Sequence, residues 1–214
     1  MNRVSVYIDG FNLYYGQKRA EAIDNDWKKS YWIDFVKLFE LFAPHLCLQR
    51  VVYFTTPLKS TPKRNQQIAL EKANRLLNGN RFEIKYGKFY DKEYICPNCG
   101  LQYAIPEEKR TDVNISVQMM RDCALNNTDI LFLVSADSDL IPTIKSIKCD
   151  YPDKTVTVFF PPQNFSNDIN NLMKSNNGNV VRLDRNKGKF IASVMPDIVT
   201  VNGKSSTIPP EWKV

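Results

Sequence analysis

Val4-Ser5-Val6-Tyr7-Ile8-Asp9-Gly10-Phe11-Asn12 opens the chain, and Ile130-Leu131-Phe132-Leu133-Val134-Ser135-Ala136-Asp137-Ser138-Asp139 repeats its form far downstream. In both, a run of mainly apolar residues ends in carboxylates. Such runs suit strands buried on both faces of a parallel sheet. Ligands of these sheets bind beyond the carboxyl ends of the strands, where the topology reverses direction. Two such strands lying side by side gather Asp9, Asn12, Asp137 and Asp139 in one crevice. Gathered carboxylates repel one another, and a hard divalent cation, magnesium or manganese, relieves the repulsion. The expected chemistry is metal-dependent hydrolysis of a phosphodiester.

Outward from these two stretches, further strands are expected over residues 50–55, 82–87, 155–160 and 180–183. Helices are expected over 33–42, 63–77, 112–125, 140–147 and 167–174. The apolar residues of two of these helices recur with helical period: Ile68, Leu70, Ala73, Leu76 and Leu77, then Val113, Val117, Met120 and Ala124. Strand–helix alternation implies a doubly wound α/β sheet. Residues 1–185 are expected to form one domain interrupted at 91–109 by an insertion, a small hairpin carrying Cys96-Pro97-Asn98-Cys99-Gly100. Residues 186–214 are expected to be a C-terminal tail packed on that domain.

With 43% hydrophobic residues among 214, the chain can bury a full core. No stretch approaches the roughly 20 apolar residues of a membrane span, and the opening residues do not resemble a signal peptide. A cytoplasmic protein is therefore expected. Five cysteines without a regular framework fit a reducing compartment. A net charge of +6 and a pI of about 9.0 are compatible with a polyanionic partner.

Asp112 is the third acidic element, with Thr111 before it as an expected helix N-cap. Each carboxylate also has a plainer role: Asp112 complementing a helix dipole, Asp9 in a strand-to-loop turn where Gly10 permits an unusual backbone angle, Asp137 and Asp139 at a helix start. Their shared place at strand ends favours a site. Asp9, Asp112 and Asp137 are the expected metal ligands, Asp139 an additional or outer one. Asn12 and Ser135 are expected to orient water or phosphate. No histidine base is required, and the single histidine, His45, is expected to be structural or superficial. Lys59, Lys63 and Arg64, Lys88 and Lys92, and Lys109 and Arg110 all follow strands or precede Asp112, as a phosphate-backbone cradle requires. Tyr14, Tyr15, Phe89 and Tyr90 are candidates for stacking unpaired bases. Cys96 and Cys99 have zinc-ligand spacing, but structural zinc takes four ligands. Two chains sharing a zinc, as a homodimer, and a knuckle held by hydrogen bonds alone both stay open.

These motifs resemble the NYN domain family, the LabA-like branch of the PIN-like nucleases. Asp9-Gly10-Phe11-Asn12 resembles its opening motif, Glu107-Glu108-Lys109-Arg110-Thr111-Asp112-Val113-Asn114 its middle one, and Ser135-Ala136-Asp137-Ser138-Asp139 its last, with Ala136 at the usual glycine. The resemblance implies a PIN-like three-layer α/β/α sandwich and magnesium- or manganese-dependent RNA cleavage. Asp9, Asn12, Asp112, Asp137 and Asp139 carry over as site residues. Many relatives hold an acidic residue inside the middle helix, where this chain has Gln118, with Asp122 a turn further on.

Two functions compete: a metal-dependent endoribonuclease, and a non-catalytic RNA-binding or regulatory module on the same fold. A phosphatase of the haloacid-dehalogenase type needs an Asp-x-Asp after its first strand, which Asp9-Gly10-Phe11 lacks. No Walker loop or Gly-x-Gly-x-x-Gly turn supports nucleotide binding of those kinds.

Overall fold

The computed structural model describes residues 1–213. Its centre is a parallel six-stranded sheet in the order β3-β2-β1-β6-β7-β8. These strands are β1 (Arg3–Asp9), β2 (Cys47–Thr55), β3 (Phe82–Tyr86), β6 (Ile130–Val134), β7 (Thr155–Phe160) and β8 (Asn179–Arg182). Val4, Val6, Tyr7 and Ile8 of β1 are fully buried, which is what a near-continuous apolar run in a central parallel strand requires. The chain builds β1, β2 and β3 in one direction, then crosses to lay β6, β7 and β8 on the other side. The switch point therefore lies between β1 and β6. There the register pairs Ile8 with Val134, so Asp9 and Ser135 emerge together.

Helices cover both faces. On one face Leu13 of α1 (Gly10–Ile23) and Phe35, Val36, Leu38 and Phe39 of α2 (Phe35–Glu40) join Val4, Val6 and Ile8 in a single apolar core. On the other face Ile115 and Met119 of α4 (Thr111–Ala124), Ile144 and Ile147 of α5 (Ile141–Asp150), and Ile169 and Met173 of α6 (Asn167–Ser175) pack on Tyr7, Leu131 and Leu133. This is the three-layer α/β/α arrangement expected. α3 (Thr61–Asn78) lies over the β2–β3 side. Against it packs a hairpin of β9 (Ile198–Val201) and β10 (Lys204–Thr207), where Ser206 donates to the Ala69 carbonyl at 2.8 Å, while α7 (Lys187–Ala192) before it packs on α2. Trp212 packs against Tyr31 with ring centroids 5.7 Å apart. A second antiparallel hairpin, β4 (Lys88–Ile95) with β5 (Gln102–Lys109), leaves the sheet between β3 and α4.

α1 is the main departure from the sequence expectation, which had Asp9 leading into a loop. Asp9 is the N-cap of α1. The helix was hidden because its buried residues, Leu13, Gly16, Gln17 and Ala20, form no strong apolar stripe. Gly10 has no unusual backbone angle. It is needed for space, because a Cβ there would lie 2.7 Å from the Phe54 carbonyl oxygen. Gly16 likewise lets α1 approach the loop after β7, where a Cβ would meet the Pro162 oxygen at 2.6 Å. Thr111 is the first helical residue of α4 rather than its cap. The cap position belongs to Arg110, in the left-handed region at φ 80°, an uncommon state for a non-glycine residue.

Asp122, near the end of α4, lies away from the crevice. It is fully buried, takes hydrogen bonds from the Tyr7 hydroxyl at 2.7 Å and the Gln118 amide at 2.9 Å, and pairs with Arg50. Burial opposes its ionised form, but these donors hold its pKa below the ordinary carboxylate range. Asp122 thus ties α4 to β1 and β2. Replacing it by alanine orphans a buried hydroxyl and a guanidinium, so Asp122→Ala should destabilise the fold by about 2–4 kcal/mol. Urea unfolding measures this, and a loss under about 0.5 kcal/mol, the scale of a surface change, would remove Asp122 from the framework.

Candidate acidic site at the switch point

Asp9, Asn12, Glu108, Asp112 and Asp137 line one crevice at the carboxyl edge of β1 and β6, with Asn164 from the loop after β7 on its far side. Each is fixed by its element. Asp9 ends β1, where its Oδ1 caps α1 by accepting from the Asn12 N–H at 3.0 Å. Its Oδ2 accepts from the Ser135 hydroxyl at 3.1 Å. Ser135 in turn accepts from the Asp137 N–H at 3.0 Å. The Asn12 side-chain oxygen accepts from the Ala136 N–H at 3.1 Å and from the Asn164 amide. Asp137 caps a short 3-10 turn by accepting from the Asp139 N–H at 2.9 Å. The capping roles and the crevice positions are thus held by the same residues.

The electrostatics are one-sided. Burial pushes the Asp9 carboxyl up to about 7, against the lowering effect of its bonds to Asn12 and Ser135, and the charges of Asp112 and Glu108 push it further. Burial raises Asp112 to about 6, aided by Asp137, Glu108 and Asp139. The charges that raise both groups are negative, and one cation, Arg19, also lines the crevice, its Nε donating to the Gln163 carbonyl at 3.1 Å. This excess, presented by oxygen donors alone, suits a hard cation. Among the described residues no three His, Cys, Asp or Glu side chains are close enough to hold an ion by themselves. A cation seated here would need water to complete its shell, as magnesium usually keeps.

The expected residues divide by position. Asp9, Asn12, Asp112 and Asp137 meet in the crevice. Asp139 is exposed beside it and acts on Asp112 through charge. Ser135 is fully buried and donates to Asp9, so it braces that carboxylate. Lys63 is exposed on α3, at the edge of a neighbouring hollow walled by Phe11, Tyr14, Tyr15, Tyr53 and Trp212. Phe11 and Tyr15 line both hollow and crevice. Arg64 turns along its helix to Gln67 and Glu71. Lys109 pairs with Glu107 at 2.8 Å, and Arg110 donates to the Tyr90 hydroxyl at 2.6 Å.

Three polar residues of the crevice were not singled out from the sequence: Arg19, Glu108 and Asn164. Glu108, at the end of β5, is held by the hydroxyls of Thr56, at 2.9 Å, and Thr111. It supplies the fourth carboxylate that the interior of α4 does not. Its signal was present in the Glu-Glu run before Asp112, but only pairing with β4 decides which glutamate faces inward. Asn164 follows the end of β7, and the strand-end rule that found Asp137 applies to it equally.

Comparison with known proteins places this geometry. The NYN domain family is matched by residues 3–175. The 6-hydroxy-3-succinoylpyridine 3-monooxygenase HspA of Pseudomonas putida is 25% identical over 244 residues, spanning 98% of this chain and 74% of that protein. A protein of unknown function from Vibrio parahaemolyticus superposes with a TM-score of 0.54 at 20% identity, covering 86% of this chain and 93% of the other. That likeness shows the fold.

The raised Asp9 pKa has a thermodynamic sign. Between its ordinary value of 3.8 and about 7 the folded chain keeps a proton that the unfolded chain has lost, so this group erodes stability as pH rises through that window. Asparagine keeps the capping capacity without the charge. At pH 8 without added metal, Asp9→Asn should therefore be more stable than wild type, on the order of 2–4 kcal/mol from this group. Magnesium should raise the melting temperature of wild type and leave the variant unchanged. A variant less stable than wild type at pH 8 would contradict the assigned repulsion.

Proposed function

Since the chain belongs to the NYN domain family, a family of PIN-like nucleases, we propose that it is a magnesium- or manganese-dependent ribonuclease that cuts RNA internally at the acidic crevice. The observation that carries this is the convergence of Asp9, Glu108, Asp112 and Asp137 at the switch point, four carboxylates against the single cation Arg19 that lines the same crevice. Asp9, Asp112 and Asp137 would hold the cation. When bound, it would supply positive charge beside the phosphoryl oxygens and ease loss of a proton from water there.

The chain's own groups do the rest. Ser135 and the Asn12 N–H fix both oxygens of Asp9, leaving it little freedom to turn away. Asn12 and Asn164 present amides across the crevice to orient a phosphate. Glu108 has one carboxylate oxygen, Oε1, engaged by two threonines. We assign its Oε2 to accept the proton of the attacking water. The water oxygen bonds to phosphorus, the bond to the ribose oxygen breaks, and that oxygen takes a proton from solvent. Lys63 and Arg64 on one side and Lys109 and Arg110 on the other would hold neighbouring phosphates. Tyr14, Tyr15 and Phe89 belong to an aromatic chain that suits unstacked bases: Phe11 lies 6.1 Å from Phe89 and 6.3 Å from Tyr15, and Tyr15 lies 5.4 Å from Tyr14. No helix of the described residues is long and apolar enough to cross a membrane.

The aromatic hollow also suits a small heteroaromatic acid such as the one in the name of the Pseudomonas relative. Both activities are separable in one assay set. Labelled RNA should be cut in magnesium or manganese and spared in chelator. 6-Hydroxy-3-succinoylpyridine should remain unchanged with oxygen and a nicotinamide reductant. Asp9→Asn and Asp137→Asn should each lower cleavage by at least ~100-fold, and Glu108→Gln by a similar ~100-fold in kcat, the scale of a lost general base, while metal-induced stabilisation survives only in the glutamine variant. Lys63→Ala and Arg64→Ala should weaken RNA binding and flatten its salt dependence. RNA bound but never cut by wild type would favour the non-catalytic RNA-binding module.

A further inference from the structure

The β4–β5 hairpin ends in Cys96-Pro97-Asn98-Cys99-Gly100-Leu101 and carries exposed side chains over most of its length. Its turn is tightly organised. The Cys96 N–H donates to the Leu101 carbonyl at 2.9 Å, and the Gly100 N–H to the Cys96 carbonyl at 2.9 Å. Gly100 occupies the left-handed region at φ 73°, which a β-carbon would disfavour. Cysteine binds metal as the thiolate.

Two thiolates are half of a structural zinc set. Among the described residues nothing completes it, since no third His, Cys, Asp or Glu joins the pair. Cys123 is buried in the core, Cys47 begins β2, and Cys149 lies near the end of α5. The missing half must come from outside the chain. Apolar side chains flank the pair and face solvent: Leu101, Tyr103 and Ile105, 65%, 46% and 44% exposed, alternate along one face of the hairpin, and Ile95, 65% exposed, lies on the other. A second copy supplies an equal pair of thiolates and an equal apolar surface about a twofold axis, so one symmetric contact satisfies both needs.

We propose that two copies of this chain share one zinc ion, bound by Cys96 and Cys99 of each, which joins their hairpins into a dimer. Zinc displaces the remaining thiol protons to solvent as four Zn–S bonds form, with no change of oxidation state. The site lies outside the core, so its variants should fold normally, and it is independent of the nuclease reading.

Zinc content and mass in solution test it on the full chain, by elemental analysis and light scattering under reducing conditions. One zinc per two chains in a dimer is expected, with chelator or Cys99→Ser giving metal-free monomer of unchanged circular dichroism. Cobalt substitution should give the absorption of a tetrathiolate site in wild type and lose it in Cys96→Ser. Leu101→Asp should weaken the dimer while leaving the cysteines in place. One zinc per monomeric chain, a dimer indifferent to chelator, or a metal-free monomer with or without a Cys96–Cys99 disulfide would each overturn the proposal.

Discussion

The hydrogen bond from Ser135 to Asp9 joins the ends of two neighbouring strands, and the geometry of the crevice depends on it. It exists because β1 and β6 run parallel in a register that brings their last residues level. That register is enforced from below by fully buried Val6, Tyr7, Ile8, Leu131 and Leu133. These residues fill both faces of the sheet, so a slip of one position would exchange the two faces and disrupt both cores. The packed strands thus set the position of Asp9, and Asp9 sets the start of α1. Asn12 follows from that start, and with it the link across to Asn164.

The same precision has a cost in charge. Asp9 is 5% exposed and raised to about 7, an uncomfortable place for a carboxylate. Asp122 is buried as deeply, yet its pKa is lowered because Tyr7, Gln118 and Arg50 satisfy it. The contrast separates two uses of a buried aspartate within one molecule. Donors from three elements surround Asp122 and make it a tie. Asp9 has two neutral donors and negative neighbours, an arrangement found where a ligand is to supply the missing charge.

Much of this was legible in the sequence because it rests on strong local signals. The apolar runs at 4–8 and 130–134 announced buried strands, and strand-end chemistry then placed Asp9, Asn12 and Asp137 together without knowledge of the sheet order. What escaped depended on tertiary contacts. α1 buries small and polar residues such as Gly16 and Gln17, so its pattern carries little periodicity. Glu108 and Glu107 are adjacent, and only the pairing of β5 with β4 turns one toward Thr56 and the other toward Tyr94 and Lys92. Ser135 has a residue type that suits a phosphate ligand, while burial gives it the role of a brace.

The strand order also has a bearing on how the molecule comes into being. β1 sits in the middle of the sheet, between β2 and a strand that begins more than a hundred residues later, at Ile130. Contacts of such sequence separation form slowly, because a long loop must close before they are rewarded. On a ribosome, Asp9 is made first, yet its carboxylate meets no rival until the segment from Glu108 to Asp137 has followed. The mutual repulsion of the crevice therefore arises late, when β6 docks and the β1–β3 half of the sheet can already be in place. The last step of folding is then also the one that completes the acidic crevice, and the half-built chain has no such pit.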